Sequence, residues 1–134
     1  MFTPRISYPD RKDYMSNLRE DGWDVDHQKP YIGADIFYLI NGDAQSYSES
    51  ISGYFADLDR VTMIGSPTAG ANGNVNYFNL PGGYTFRFTG MRVLKQNGER
   101  LHGIGFVPDV EAIPTAEGLA EGRDEVLEKA NELS

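Results

Sequence analysis

One serine in this chain occupies a position typical of a nucleophile. Ser46 lies in the stretch DAQSYSESISGYF, after a short apolar run and where the apolar residues change to a helical period. Open α/β folds place reactive groups at this carboxyl-terminal end of a parallel strand. There, backbone N–H groups and the positive end of the helix dipole stabilise a developing oxyanion. Ser46 is therefore a candidate nucleophile. The alternative is that its hydroxyl only caps the helix.

A glutamate follows three residues later. Glu49 shares a helical face with Ser46 and could be taken for the acid of a catalytic triad. The spacing S-x-x-E also fits a capping box, in which the two side chains satisfy N–H groups of the first helical turn. The sequence favours this structural role for Glu49.

The glycine-rich stretch GSPTAGANG, residues 65–73, has the glycine spacing of a phosphate-binding loop. A nucleotide loop requires a lysine and then a serine or threonine after the second glycine. Ala71 and Asn72 occupy those positions, and no helical period follows them. The sequence therefore argues against a nucleotide site.

Composition excludes several other functions. The formal net charge of -8 argues against nucleic acid as a partner, because phosphate backbones are bound by clusters of lysine and arginine. The chain has no cysteine, so it has no disulfide, thiolate metal site or cysteine nucleophile. No stretch of the sequence has the length and apolar character of a membrane-spanning helix.

The order of elements predicts an α/β fold. Residues 34–40 and 60–64 are apolar and rich in β-formers, and a helix between them has a predicted apolar face, so the three form a βαβ unit. Residues 75–80 and 84–94 predict strands of an irregular, partly antiparallel layer. The predicted helix face consists of Tyr47, Ile51, Tyr54, Phe55 and Leu58.

The end of the chain predicts one long helix, residues 115–133. Thr115 is its expected N-cap and Gly118 a weak point. Its predicted apolar stripe consists of Leu119, Val126, Leu127 and Ala130.

Four segments, in order, resemble signatures of the S41 serine peptidases, the C-terminal processing or tail-specific protease family. Residues 46–49 (SYSE) resemble its S-x-S-E signature, and residues 62–73 (TMIGSPTAGANG) resemble its G-x-x-T-x-G-K-G loop. Residues 80–93 (LPGGYTFRFTGMRV) resemble its L-x-x-G strand segment. Residues 98–111 (GERLHGIGFVPDVE) resemble its closing motif, which ends G-x-G-x-x-P-D. The resemblance covers about residues 33–112.

The resemblance implies a ClpP/crotonase-like α/β fold with a βαβ unit, an irregular mixed β layer and a C-terminal helix. The chain would be the C-terminal portion of a catalytic domain, with an irregular lead-in at 1–31, a family-like core at 33–112 and a helix at 115–133. The implied activity is peptide-bond hydrolysis through an acyl-enzyme, with Ser46 as nucleophile and the backbone N–H of Tyr47 as half of the oxyanion hole. The substrate would be a polypeptide, and no metal or organic cofactor is required.

Two further expectations concern the surroundings of the protein. Bacterial members of the family are commonly exported, so the resemblance implies the periplasm or cell envelope. An incomplete core would also favour self-association of the chain.

The chain departs from the family at the general base. The processing peptidases carry a lysine in the G-K-G step, where this chain has Ala71. A serine hydroxyl is a poor nucleophile without an adjacent base, and alanine cannot act as one, so a Ser–Lys dyad is excluded.

A branch resembling the tricorn core protease takes a histidine from a segment upstream of the nucleophile, and this chain alone would then be inactive. The alternative is a degenerate site that binds peptides or an apolar ligand, as in the retinoid-binding modules similar to this family. The intact serine signature favours the first interpretation.

The chain has two histidines, His27 and His102. His27 lies in an acidic loop with Asp24 and Asp26, and this loop lacks the ligand spacing of a metal site. His102 lies in the closing motif, where processing peptidases have a variable polar residue and where the tricorn-like branch places the acid of its relay. His102 is an auxiliary candidate for a base near Ser46.

Overall fold

A computed structural model describes Lys29 and residues 33–134. In this part of the chain the structure has five strands and three helices. In chain order they are β1 (Ile36–Ile40), α1 (Tyr47–Phe55), β2 (Val61–Gly65), β3 (Val75–Leu80), β4 (Tyr84–Thr89), β5 (Val110–Glu111), α2 (Ala116–Ala120) and α3 (Glu125–Leu133). Over these residues, no helix has the length and apolar character needed to cross a membrane.

The predicted βαβ unit is confirmed. β1 and β2 pair in parallel from Ile36↔Val61 to Ile40↔Gly65, with α1 between them in the chain. The sequence did not predict β5, which pairs in parallel with β2 and completes a sheet of order β1-β2-β5. A strand of two residues has too short a side-chain alternation to be recognised from sequence.

The hydrophobic core lies where this sheet meets the segments that follow the hairpin. It consists of Ile40, Met63, Val93, Leu101 and Phe106. Tyr38 packs against this core, and its ring lies 4.6 Å from the ring of Phe55, which joins β1 to α1. The core therefore fixes both β1 and α1, the two elements that flank Ser46.

The face of α1 turned to the protein interior differs from the predicted one. Its buried residues are Glu49, Ser50, Ser52 and Gly53, whereas Tyr47 is 65% exposed and Leu58 lies beyond the helix end. Glu49 and Ser50 are hydrogen-bonded to the glycine-rich loop described below. The hydroxyl of Ser52 donates to the Ser48 carbonyl and lies 3.5 Å from the hydroxyl of Tyr38 on β1.

The second layer is a single antiparallel hairpin of β3 and β4, registered from Val75↔Thr89 to Leu80↔Tyr84. The predicted antiparallel pairing is correct, but the second strand ends at Thr89 instead of residue 94. The chain bends at Met91 beyond the strand, and Leu94 then forms an isolated bridge with Arg100.

The prediction of one C-terminal helix is wrong, because α2 and α3 are separate. Thr115 caps α2 as predicted, accepting a hydrogen bond from the Gly118 amide. The break falls at Gly122, whose φ of 72° is left-handed, and Asp124 then caps α3. The predicted apolar stripe is right in part: Val126 is half-buried and Ala130 is buried, whereas Leu119 and Leu127 are exposed.

Candidate active site

Ser46 lies between β1 and α1, at the residue that precedes the helix. Its backbone has φ 55° and ψ -116°, and among the described residues it is the one non-glycine residue with positive φ. Such a conformation costs about 1–3 kcal/mol and persists only where the surrounding structure imposes it. A strained strand-to-helix turn of this kind exposes the nucleophilic serine in α/β-hydrolases.

The side chain of Ser46 does not cap α1. Ser46 is exposed, and its hydroxyl makes no capping hydrogen bond to the helix. Its backbone is held from both sides: the Ser46 amide donates to the carbonyl of Ala71 at 2.8 Å, and its carbonyl accepts from the amides of Glu49 and Ser50. The capping alternative is therefore wrong, and the hydroxyl is left for another partner.

Glu49 does not form the predicted capping box. Its side chain is fully buried and accepts three hydrogen bonds from the glycine-rich loop. The donors are Thr68 Oγ1 at 2.6 Å, the Gly70 amide at 2.7 Å and the Ala71 amide at 2.9 Å. A loop that resembles a phosphate cradle thus encloses a carboxylate of its own chain. The structural role favoured for Glu49 holds, but its partners lie in the loop and not in the helix.

The closing motif packs against the other side of this loop. Thr68 Oγ1 accepts from the Phe106 amide at 2.8 Å, and the Thr68 amide donates to the Phe106 carbonyl at 3.0 Å. The Gly103 amide donates to the Gly70 carbonyl at 2.9 Å. A Cβ on Gly105 would lie 2.3 Å from the Thr68 carbonyl oxygen, so this close approach requires glycine. Three segments distant in sequence therefore form one buried hydrogen-bond network behind Ser46.

His102 lies at the edge of this network. It is half-buried, and its Nε2 is buried without a hydrogen-bond partner among the described residues. Its carbonyl accepts from Arg100 Nε at 2.6 Å, and the next residue, Gly103, is the one bonded to Gly70. His102 is thus anchored beside the loop that holds Ser46, but the two side chains share no hydrogen bond through Nε2.

The remaining candidates lie elsewhere or outside the described residues. Tyr47 is the first residue of α1, so its amide belongs to the helix N-terminus. Ala71, at the position of the family lysine, contributes only backbone groups to the site. His27, Asp24 and Asp26 lie outside the described residues. Within the described part of the chain, no group of three acidic, histidine or cysteine residues could hold a metal ion.

Sequence reasoning did not identify the partners of Glu49 or the role of Thr68. The available signal is the combination of S-x-x-E in the helix with T-x-G in the loop. Taken alone, the S-x-x-E motif also fits a helix cap and the T-x-G motif also fits a turn, so neither motif alone predicts the contact between the helix and the loop.

Known proteins are similar to this chain in sequence and in fold. The model of peptidase family S41 matches residues 5–112. A carboxy-terminal-processing protease of Bartonella bacilliformis is 31% identical over 87 residues, covering 65% of this chain and 19% of that protein. The structure of mature CPAF complexed with lactacystin matches with a TM-score of 0.65 at 30% identity, covering 72% of this chain and 19% of that chain.

The tricorn protease structure matches with a TM-score of 0.65 at 18% identity, over 84% of this chain and 12% of that chain, which is a likeness of fold alone. These matches support the expected ClpP/crotonase-like α/β fold. The chain spans 16% to 19% of the length of four curated relatives that it matches.

Proposed function

The chain belongs to peptidase family S41, and we propose that Ser46 is the nucleophile of a serine-type peptidase acting on polypeptides through an acyl-enzyme. The observation that carries this proposal is the backbone of Ser46, with φ 55° and ψ -116° at an exposed residue whose hydroxyl does not cap the helix. A serine that only capped or packed would have no reason to keep strain of about 1–3 kcal/mol.

In the first step the Ser46 hydroxyl attacks the carbonyl carbon of the peptide bond and gives its proton to a base. The electron pair of the carbonyl bond moves to its oxygen, which becomes an oxyanion. The backbone N–H of Tyr47 is proposed as half of the oxyanion hole, where the N-terminus of α1 adds a favourable dipole. Collapse of the intermediate breaks the C–N bond, and the amine leaves with a proton from the base. Water then hydrolyses the ester.

The base is proposed to be a histidine, as in the tricorn-like branch, supplied by polypeptide outside this chain. The same polypeptide would also supply the second donor of the oxyanion hole. Ala71 has no group that takes a proton, and Glu49 is occupied by three donors. This chain alone is therefore expected to show little or no turnover. His102 is the internal candidate for an auxiliary base, because its Nε2 has no hydrogen-bond partner among the residues that the structure describes.

A fluorophosphonate probe tests the nucleophile in the protein expressed from its complete reading frame. Labelling is expected, and Ser46→Ala should abolish it. Ser48→Ala is the matched control, since Ser48 is the other serine of the signature and should remain dispensable. Labelling that survives in Ser46→Ala would contradict the proposal.

The same assay on this chain alone tests the origin of the base. Weak or absent labelling is expected. Strong labelling or hydrolysis by this chain would show that the base is internal, and its loss in both Ser46→Ala and His102→Gln would show that His102 supplies that base.

A second candidate is a catalytically degenerate module that binds a peptide or an apolar ligand. The alanine at the position of the lysine favours it, because the change removes the base and leaves the loop backbone intact. Absence of labelling in the complete protein, together with peptide binding that Ser46→Ala does not change, would support this alternative.

We also propose export to the periplasm or cell envelope, on the family resemblance alone. Cell fractionation with detection of the native protein tests it, and a purely cytoplasmic pool would contradict it.

A further inference from the structure

The turn that leads from β1 to Ser46 begins with an asparagine followed by a glycine. The sequence contains an Asn-Gly pair at residues 41–42, 72–73 and 97–98, and all three pairs lie in the described part of the chain. Glycine has no Cβ, so the backbone nitrogen after the asparagine is open to reaction with the asparagine side chain. The surroundings of the three pairs differ, and the differences predict which pair reacts.

The reaction converts asparagine to an acid with water as the co-reactant. The glycine nitrogen loses its proton and attacks Cγ of the asparagine side chain, and the bond from Cγ to the amide nitrogen breaks to release ammonia. The product is a five-membered succinimide ring, which water then opens. Opening at Cγ yields aspartate on the ordinary main chain. Opening at the main-chain carbonyl yields isoaspartate, in which the main chain runs through Cβ and Cγ.

The pair Asn41-Gly42 is suited to the first step. Both residues are exposed, so water and base reach them. Asn41 Oδ1 accepts a hydrogen bond from the Asp43 amide at 3.0 Å. This donor lies on the oxygen that gains negative charge when Cγ is attacked, so it favours the attack. The Gly42 amide donates no hydrogen bond among the described residues, so its nitrogen reacts without giving up an acceptor.

The pair Asn97-Gly98 shares all but the last of these features. Asn97 is exposed, and its Oδ1 accepts from the Glu99 amide at 3.0 Å. The Gly98 amide, however, donates to the Lys95 carbonyl at 2.9 Å, and this bond must break before the nitrogen attacks. The net worth of such a bond corresponds to a factor of about two to ten, so Asn97 should react more slowly than Asn41 by that factor.

The pair Asn72-Gly73 is held in the glycine-rich loop. Asn72 is 7% exposed, and its Nδ2 donates to Ser50 Oγ at 3.1 Å. A Cβ on Gly73 would lie 2.7 Å from Cγ2 of Thr89, which shows how closely the backbone is packed there. Ring closure needs the asparagine side chain and the next nitrogen to move together. A close-packed, buried loop opposes that movement and excludes the water that opens the ring.

We propose that Asn41 is a site of spontaneous deamidation and that its isoaspartate product displaces the turn that holds Ser46. The Asn41 carbonyl accepts from the Ala44 amide at 3.1 Å, and the Ala44 carbonyl accepts from the Ala69 amide at 3.0 Å. Isoaspartate inserts one carbon atom into the main chain at the start of this turn. The carbonyl that bonds to Ala44 then belongs to a carboxylate outside the main chain, two residues before Ser46.

Gly42 offers a variant that blocks the reaction without strain. Its φ is not positive, and a Cβ there would lie 3.9 Å from the Pro67 carbonyl oxygen, which is an ordinary contact. Gly42→Ala should therefore fold as the original protein does. The added methyl group shields the attacking nitrogen and should slow the reaction at Asn41 by about tenfold. Gly73 and Gly98 have positive φ, so the same change at either would add strain.

Peptide mapping by mass spectrometry tests the site. The protein expressed from its complete reading frame is kept in mildly alkaline buffer at physiological temperature, and conversion of each asparagine is followed over time. Asn41 should convert first, Asn97 about twofold to tenfold more slowly, and Asn72 not measurably. Gly42→Ala should slow conversion at Asn41 by about tenfold and leave Asn97 unchanged. Conversion at Asn41 that is no faster than at Asn97, or that Gly42→Ala does not slow, would overturn the proposal.

Amide hydrogen exchange tests the displacement of the turn. The Ser46 amide is protected by its bond to the Ala71 carbonyl. In the isoaspartate form, separated by chromatography, this amide should exchange at least about tenfold faster than in the unmodified protein. Equal exchange in the two forms would show that the turn is not displaced. Exchange needs no catalysis, so this result stands apart from the fluorophosphonate assay of the proposed nucleophile.

Discussion

Glu49→Gln measures how much the buried carboxylate contributes to the loop behind Ser46. Glu49 Oε1 accepts from Thr68 Oγ1 and the Gly70 amide, and Oε2 accepts from the Ala71 amide. Glutamine retains one oxygen for the first two donors, but its NH2 group then meets the N–H of Ala71, which is left without an acceptor. A buried donor without a partner costs about 1–3 kcal/mol. We expect Glu49→Gln to lower the free energy of unfolding by about that amount.

Glu49→Ala provides the upper limit of the same series. It leaves all three donors without an acceptor and opens a cavity, so its expected cost is at least about 3 kcal/mol. That is a large part of the 5–15 kcal/mol typical of a domain, and partial unfolding at room temperature would be consistent with it.

Urea denaturation measures both variants through the midpoint and the slope. Glu99→Gln is the matched control, because Glu99 is exposed, and its change should stay within about 0.5 kcal/mol. A Glu49→Gln midpoint equal to that of the Glu99 control would refute the hydrogen-bond argument. Equal costs for Glu49→Gln and Glu49→Ala would also refute it, because the retained oxygen would then contribute nothing.

Two further predictions concern the closing motif and the helix junction. Gly105 and Gly98 both have positive φ, but only at Gly105 would a Cβ meet Thr68. In urea denaturation, Gly105→Ala should therefore lower the free energy of unfolding by several kcal/mol more than Gly98→Ala does. Equal losses in the two variants would show that the backbone conformation alone determines the cost. The pKa of Glu125 is lowered from its ordinary value of 4.5, first by the hydrogen bond from the Thr115 amide. This contact therefore stabilises the α2–α3 junction above pH 4.5 and is lost as the pH falls through the lower folded pKa. The NMR chemical shift of the Thr115 amide should change with pH as this contact is lost. Glu125→Gln should abolish that pH dependence.

The sequence was informative wherever one segment determined its own structure. The apolar runs of β1 and β2 and the helical period between them predicted a parallel βαβ unit, and Ser46 was located at its junction. The hairpin followed from β-forming residues around Pro81-Gly82-Gly83. Each of these inferences needs only local periodicity and turn chemistry.

The errors arose where a distant segment competed with a local rule. Glu49 satisfies the capping-box spacing, but the loop offers its carboxylate three donors in a buried site, which outweigh one bond in the exposed first turn. The apolar stripe predicted for the C-terminal helix ignored Gly122, whose left-handed conformation ends α2. β5 depends on its partner β2 and carries little pattern of its own.

The network explains how the loop keeps its shape without a lysine at position 71. Ala71 contributes through its backbone on both sides: its amide donates to Glu49 Oε2, and its carbonyl accepts from the Ser46 amide. Neither bond uses the side chain at position 71. Holding the serine is therefore physically separate from activating it, and the base can change without disturbing the geometry.

That separation also bears on the choice between a peptidase and a degenerate binding module. A module that had lost catalysis would gain stability by relaxing the strained residue at the start of α1, and glycine at that position would relieve about 1 kcal/mol or more. The residue is nevertheless a serine with φ 55°, held by the carbonyl of Ala71. Retained strain is explained by a hydroxyl that must be presented to a substrate, which favours catalysis with a base from elsewhere.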